Sequence, residues 1–223
     1  YIGAKHDRNV RETVHTACIL CLTSGLLLLL FGFTFARRIL TMMNTKPELI
    51  DGAVRYLRIY VFGMPALALF NFGNAVLSAS GDTKRPLYYL SFAGVINVIL
   101  NLFFVIVCKL DVAGVALASI IAEYISAALV IALLLRSREN YALHPSELRI
   151  SPDKVGRILQ ISIPSAIQNI LFAIANIFVQ TSVNSFDHVI VEGNSAAANT
   201  DPLVYNMMAA IYTGCTSFIA QNR

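Results

Sequence analysis

The chain has 223 residues, 57% of them hydrophobic and 13% charged, with a formal net charge of +4 at pH 7 and a mean hydropathy of +0.65. A water-soluble domain carries about 25% charged residues. Here the deficit is gathered into long charge-free runs, which points to a bilayer as solvent and away from a soluble globular or disordered chain. The positive balance does not indicate a nucleic-acid binder, because the basic residues are scattered at the ends of the apolar runs, as solvated membrane flanks are.

The chain opens on Tyr1 without a Met and stops at Arg223 just past an apolar run, so both ends are expected to be cut. Residues 13–36 hold no Asp, Glu, Lys or Arg, and neither do 59–81, 86–108, 158–186 and 202–222; residues 112–135 hold only Glu123. Each run exceeds the roughly 18–20 apolar residues that cross a hydrocarbon core about 30 Å thick. Six spans follow, in an all-α, polytopic transmembrane bundle. The first run is not a signal peptide: it starts after a polar stretch, is too long for an h-region and lacks a small-residue cleavage site.

The first span contains Cys18 and Cys21, a C-x-x-C in an apolar setting. Without electropositive neighbours these thiols read as packing residues. Residues 37–58 carry Pro47, Glu48 and an amphipathic stretch that predicts an interfacial helix on the outer side. In the second span Pro65 removes a backbone donor and predicts a kink, and Asn71 and Asn74 follow on the same run. Gly81 and Pro86 bracket a turn that stops one helix and starts the next. Asn97 and Asn101 lie one turn apart in the third span, and Lys109-Leu110-Asp111 predicts a tight hairpin. Such short connections predict antiparallel neighbours.

The fourth span carries Gly114, Ala118, Ala122 and Ser126 at every fourth position, a small-residue ridge along which another helix approaches closely. Glu123 lies beside it, one turn after Ser119, near mid-membrane. A charge there costs at least about 2.5–3.5 kcal/mol. Two readings of it stand: a cavity-lining or proton-handling carboxylate, or a hydrogen-bonded structural Glu.

Residues 136–157 are polar and read as a connector between two bundles. Ser151 and Pro152 predict a helix start, with a short amphipathic helix leading into the fifth span. There Pro164 is a second candidate kink. Asn169, Ala173, Asn176, Gln180 and Asn184 recur at steps of four, three, four and four, which sets one polar stripe along the helix. Interhelical hydrogen bonding uses such residues, but a stripe this long reads as the wall of a water-filled cavity.

Alternate loops divide the 17 basic residues into eleven and six. The richer set holds Lys5, Arg8, Arg11, Lys84, Arg85, Arg136, Arg138, Arg149, Lys154, Arg157 and Arg223, which predicts that side, and the connector with it, to be cytoplasmic. No paired acids, metal-ligand spacing, Walker motif or nucleophile elbow occurs, so neither an enzyme nor a bound metal or cofactor is expected.

Gly63-Met64-Pro65-Ala66-Leu67, then Asn71, Asn74 and Ala75, then Ser80-Gly81-Asp82-Thr83-Lys84-Arg85-Pro86 together resemble the fourth helix and following turn of MATE (multidrug and toxic compound extrusion) transporters. Asn97, Asn101 and the run Val112-Ala113-Gly114-Val115-Ala116-Leu117-Ala118-Ser119 are similar to the family's next two helices. Ile2-Gly3-Ala4-Lys5 resembles the end of its second helix, and Ile163-Pro164-Ser165 the start of its seventh.

The resemblance implies helices three to eight of a twelve-helix, two-lobe fold: residues 1–135 in the first lobe, 136–157 as a cytoplasmic inter-lobe linker and 158–223 opening the second. It implies a monomeric multi-pass protein of the plasma (inner) membrane that extrudes small organic cations in exchange for sodium or protons. Its cavity would be lined by Asn71, Asn74, Asn97, Asn101, Glu123, Gln168, Asn169, Asn176 and Gln180. The stretch 194–199 with Asp201 resembles the mouth of the eighth helix in some bacterial members. The family's first helix, where some members carry a coupling Asp, has no counterpart in this sequence, and its seventh offers amides where some sodium-coupled members place a Glu. Two rivals stand beside the transporter: a lipid-linked oligosaccharide flippase of the same superfamily, which would carry more Lys and Arg inside its helices, and a non-transporting membrane scaffold or receptor, which would not need the amide stripe.

Overall fold

The computed structural model describes residues 6–42, 47–183 and 201–221, all of whose regular elements are helices. They are α1 (Asp7–Met42), α2 (Pro47–Tyr60), α3 (Met64–Ala79), α4 (Lys84–Leu102), α5 (Asp111–Arg136), α6 (Pro152–Val183) and α7 (Asp201–Gln221). Five helical stretches are long and apolar enough to cross a membrane: Asp7–Met42, Ile50–Ala79, Lys84–Val107, Asp111–Arg136 and Pro152–Asn176. With 21 residues, α7 is also of spanning length, about 32 Å at 1.5 Å per residue. The chain is a multi-pass α-helical membrane protein.

The helices fall into two compact units, residues 1–151 and 152–223. In the first, α3 lies between α1 and α5, while α4 packs on the other side of α5. The core joins Val10, Val14 and Cys18 of α1 to Ala66, Phe70, Phe72 and Leu77 of α3, and to Ala127, Val130 and Leu134 of α5. Cys18 is a free thiol within this core and Cys21, also free, packs against it. Gly114, Ala118, Ala122 and Ser126 are all buried, as the ridge requires.

The turn after α3 closes as expected. Gly81 takes a positive φ of 90°, open to glycine at no steric cost. The Asp82 N–H donates to Leu77 O (2.9 Å) and the Gly81 N–H to Ser78 O (3.1 Å), the paired bonds of a Schellman stop. Asp82 then accepts the Arg85 N–H at 3.2 Å inside the first turn of α4. The expectation that α3 and α4 pack as neighbours is not met, because α4 makes its contacts with α5. The second turn explains this. A π-helical turn (Phe103–Val107) and positive φ at Lys109 and Asp111 fold α5 straight back onto α4, where Gly114 meets Phe104 and Leu110 closely enough to leave no room for a side chain.

Two helix boundaries differ from expectation. Rather than standing apart as an interfacial helix, α2 runs through a single 3-10 turn (Val61–Gly63) into α3 and packs on α1. Its charges are accommodated there: Arg58 lies over the Phe33 ring at 5.3 Å and Arg37 pairs with Asp51 at 3.3 Å. Similarly, no separate amphipathic helix precedes the fifth span, because α6 is continuous from Pro152.

Residues 137–151 fold onto the first unit. His15 and Thr16 of α1 are buried, and both reach this segment's backbone. The His144 N–H donates to His15 Nε2 (3.1 Å), while His15 Nδ1 meets Arg11 O at 2.8 Å. A carbonyl can only accept and an amide N–H can only donate, so the ring proton sits on Nδ1. Thr16 Oγ1 accepts the Ser151 N–H (3.1 Å) and lies 2.7 Å from Glu12 O and 3.3 Å from Arg149 O. Asn140 to Asp7 (2.6 Å) and Arg11 to Glu147 (3.4 Å) bind the same segment at its exposed edge.

Candidate functional site: a polar cluster on the fourth span

Two polar groups of the first unit stand out because they are inside spans and incompletely satisfied. Asn101 Nδ2 donates to Asn97 Oδ1 at 3.0 Å, Asn97 Nδ2 approaches Ser119 Oγ at 3.5 Å, and Ser119 donates to Val115 O at 3.1 Å. Donors therefore run in one direction from α4 to α5, and the acceptor at the head of the chain, Asn101 Oδ1, is buried with no partner. The second group is one turn along α5. Glu123 Oε2 is buried and unpartnered too, and the carboxylate lies against Gly63, where a Cβ would overlap it.

The backbone beside Glu123 is irregular for an identifiable reason. Pro65 cannot supply the N–H that Val61 O would accept in a regular helix. The Met64 N–H takes that carbonyl instead, an i-to-i−3 bond that tightens the chain into the 3-10 turn. Phe62 O accepts the Tyr124 hydroxyl at 3.1 Å. The kink expected at Pro65 thus takes the form of a tightened turn gripped by α5. Pro164 lies inside α6, which is helical on either side of it.

The remaining candidates are dispersed. Asn74 accepts from Ser78 at 3.5 Å, and Asn71, one turn before, is exposed. Neither joins the Asn97–Asn101 pair. Gln168, Asn169 and Asn176 are exposed on α6. Gln180 lies on the same helix without a described side chain. Residues 2–5, Asn184 and 194–199 lie outside the described residues. Ser119, Tyr124 and the His15–Thr16 pair are the polar groups that sequence reasoning did not single out. For Ser119 the signal was present: it sits four residues before Glu123 on one face of α5.

A family profile described as MatE matches residues 1–103. The chain is 28% identical over 193 residues to the probable multidrug resistance protein YpnP of Bacillus subtilis (strain 168), covering 86% of this chain and 42% of that protein. It is 24% identical over 228 residues to an FAD transporter of Shewanella oneidensis, covering 99% of this chain and 50% of that protein. The chain therefore spans about half the length of these curated relatives. Its fold matches the outward-facing conformation of a multidrug resistance MATE family transporter of the MOP superfamily, with a TM-score of 0.86 and 18% identity, covering 99% of this chain and 50% of that one. The matching profile and the matching fold are both those of MATE transporters, which the chain resembles.

Proposed function

We propose that this chain works within a multidrug efflux transporter that exchanges small organic cations for sodium or protons across the plasma membrane, as a monomer. The observation that carries the reading is the pair of unpartnered oxygens, Asn101 Oδ1 and Glu123 Oε2, buried inside the spans. An unmet buried acceptor costs about 1–3 kcal/mol, and lipid offers no water to relieve it. Two such acceptors within one lobe are readily explained if a cation or proton visits them during the cycle. The first unit has no buried Lys or Arg among its described residues, which favours a cationic cargo over an anionic one such as a flavin dinucleotide, and disfavours the flippase reading.

In this scheme residues 1–135 belong to the first lobe and 158–223 to the second, with 136–157 as the cytoplasmic linker. Asn97, Asn101, Ser119 and Glu123 bind the coupling ion in the first lobe. Asn71, Asn74 and the amides of α6 (Gln168, Asn169, Asn176 and Gln180) line the aqueous path.

The test is efflux of a fluorescent organic cation from proteoliposomes across pH 6–8, normalised to protein. Glu123→Gln keeps the shape and hydrogen bonding of the carboxyl but removes its titratable proton, and Asn101→Leu removes the open acceptor. Each is expected to lower coupled efflux at least tenfold while leaving the reconstituted yield unchanged. A wild-type rate and pH profile in both variants would remove the basis for the proposal.

A further inference from the structure

Three arginines frame a cavity of about 350 Å³ at the connector end of the first unit. Arg85 comes from the first turn of α4, Arg136 from the last turn of α5 and Arg138 from the start of the connector; Ser137 and Tyr141 bring hydroxyls to the same space. Asp82 and Glu139 also line it. Asp82 is taken up by Arg85, whose Nε lies 3.2 Å from Oδ2. No carboxylate pairs with Arg136 or Arg138 among the described residues. Three guanidiniums against two carboxylates leave the lining with one net positive charge.

The cavity lies at the edge of the apolar surface. Leu87 and Tyr88, the second and third residues after Arg85, are 60% and 67% exposed, and Leu135, next to Arg136, is exposed as well. On a spanning helix such side chains face lipid tails. The boundary between tails and water therefore falls within about one helical turn, ~5 Å, of the arginines. Lipid phosphates occupy that level of the bilayer.

We propose that this cavity binds the phosphodiester of an anionic phospholipid in the leaflet on the connector side. Arg136 and Arg138 supply fork-shaped donors to the phosphate oxygens, and the Ser137 and Tyr141 hydroxyls complete the shell. A planar guanidinium matches phosphate geometry better than an ammonium does, and basic pockets between spans are suited to lipid headgroups. Free phosphate offers the same chemistry, but the apolar rim gives an acyl chain a place to lie that free phosphate cannot use.

The test is native mass spectrometry of the purified protein released from nanodiscs of mixed phosphatidylglycerol and phosphatidylcholine. Wild type is expected to retain phosphatidylglycerol preferentially. Arg136→Gln with Arg138→Gln is expected to reduce that preference about thirtyfold, equivalent to ~2 kcal/mol at ~1 kcal/mol per basic residue. Arg138→Lys, which keeps the charge but not the fork and preserves the fold if the double variant does not, is expected to lose severalfold. Arg8→Gln with Arg149→Gln removes equal charge outside the cavity and is expected to change retention less than threefold. Equal losses in the two double variants would overturn the proposal in favour of general surface attraction. A second arm titrates inorganic phosphate into phosphatidylcholine nanodiscs, followed by phosphorus NMR. Millimolar phosphate binding that needs Arg136 and Arg138, without phosphatidylglycerol preference, would make this a soluble-anion site and overturn the lipid assignment.

Discussion

The docking of residues 137–151 onto α1 rests on two side chains that hold backbone, so each can be tested by a substitution that spares the packing. His15 is 1% exposed and Thr16 is fully buried. Replacing His15 by Leu removes the acceptor of the part-buried His144 N–H; Thr16→Val, nearly isosteric, does the same to the Ser151 N–H. An orphaned buried donor costs about 1–3 kcal/mol. At about 2 kcal/mol per site, and about 2–4 °C per kcal/mol for a chain of this size, each variant should unfold roughly 4–8 °C below wild type. The chain has no Trp, so the thermal transition is best followed by circular dichroism in detergent. Amide hydrogen exchange supplies the local readout: about 2 kcal/mol corresponds to roughly thirtyfold faster exchange, expected at residues 140–151 and not in α3. Thr16→Ser keeps the hydroxyl and should restore most of the protection. Unchanged exchange at the connector in both His15→Leu and Thr16→Val would refute the reasoning.

Two further outcomes are expected. Gly73→Ala places a methyl where the fully buried Val130 side chain already sits and should cost about 1–3 kcal/mol by overpacking; in a Val130→Ala background that penalty should vanish, and a strictly additive double-mutant cycle would mean that the two helices do not meet there. For topology, Ser146→Cys in a background without the four native cysteines should resist a membrane-impermeant thiol reagent in intact cells and react once the cells are opened, whereas strong labelling from outside would reverse the cytoplasmic assignment of the connector.

Much of the fold was readable because membrane spans announce themselves locally. Charge-free length located the helices, Gly81 and Pro86 marked the turn, and the spacing of Gly114, Ala118, Ala122 and Ser126 identified the buried face of α5. What escaped was set by partners distant in sequence or by backbone atoms. His15 meets residue 144 and Thr16 meets residue 151 through amide hydrogens, which every residue but proline possesses, so no residue type flagged either contact. The packing of α4 on α5 rather than α3 depends on the π-turn at Phe103–Val107, a run of ordinary apolar residues with no sequence mark. Within the candidate site, Asn97, Asn101 and Glu123 were visible as costly groups in lipid. Ser119 was marked only by its place four residues before Glu123, because a serine can satisfy itself on its own helix, as this one does with Val115 O.

The glycines connect packing to the site. Gly25 and Gly32, seven residues apart on α1, both face the junction of α2 and α3. A Cβ at Gly25 would come within 2.8 Å of Pro65 Cα, and one at Gly32 within 2.5 Å of Val61 Cγ1. From the opposite side, α5 presses Glu123 against Gly63 and holds Phe62 O through Tyr124. The tightened turn that Pro65 creates is thus clamped between two helices that approach it only because side chains are missing. A larger residue at Gly63 would displace the Glu123 carboxylate from the irregular backbone. Irregular backbone within a span persists only where protein or a water-lined cavity surrounds it, and broken helices in transporters are where ions are held. Proline, glycine and glutamate here act as a unit: the first breaks the helix, the second opens space at the break, and the third places an acceptor in it.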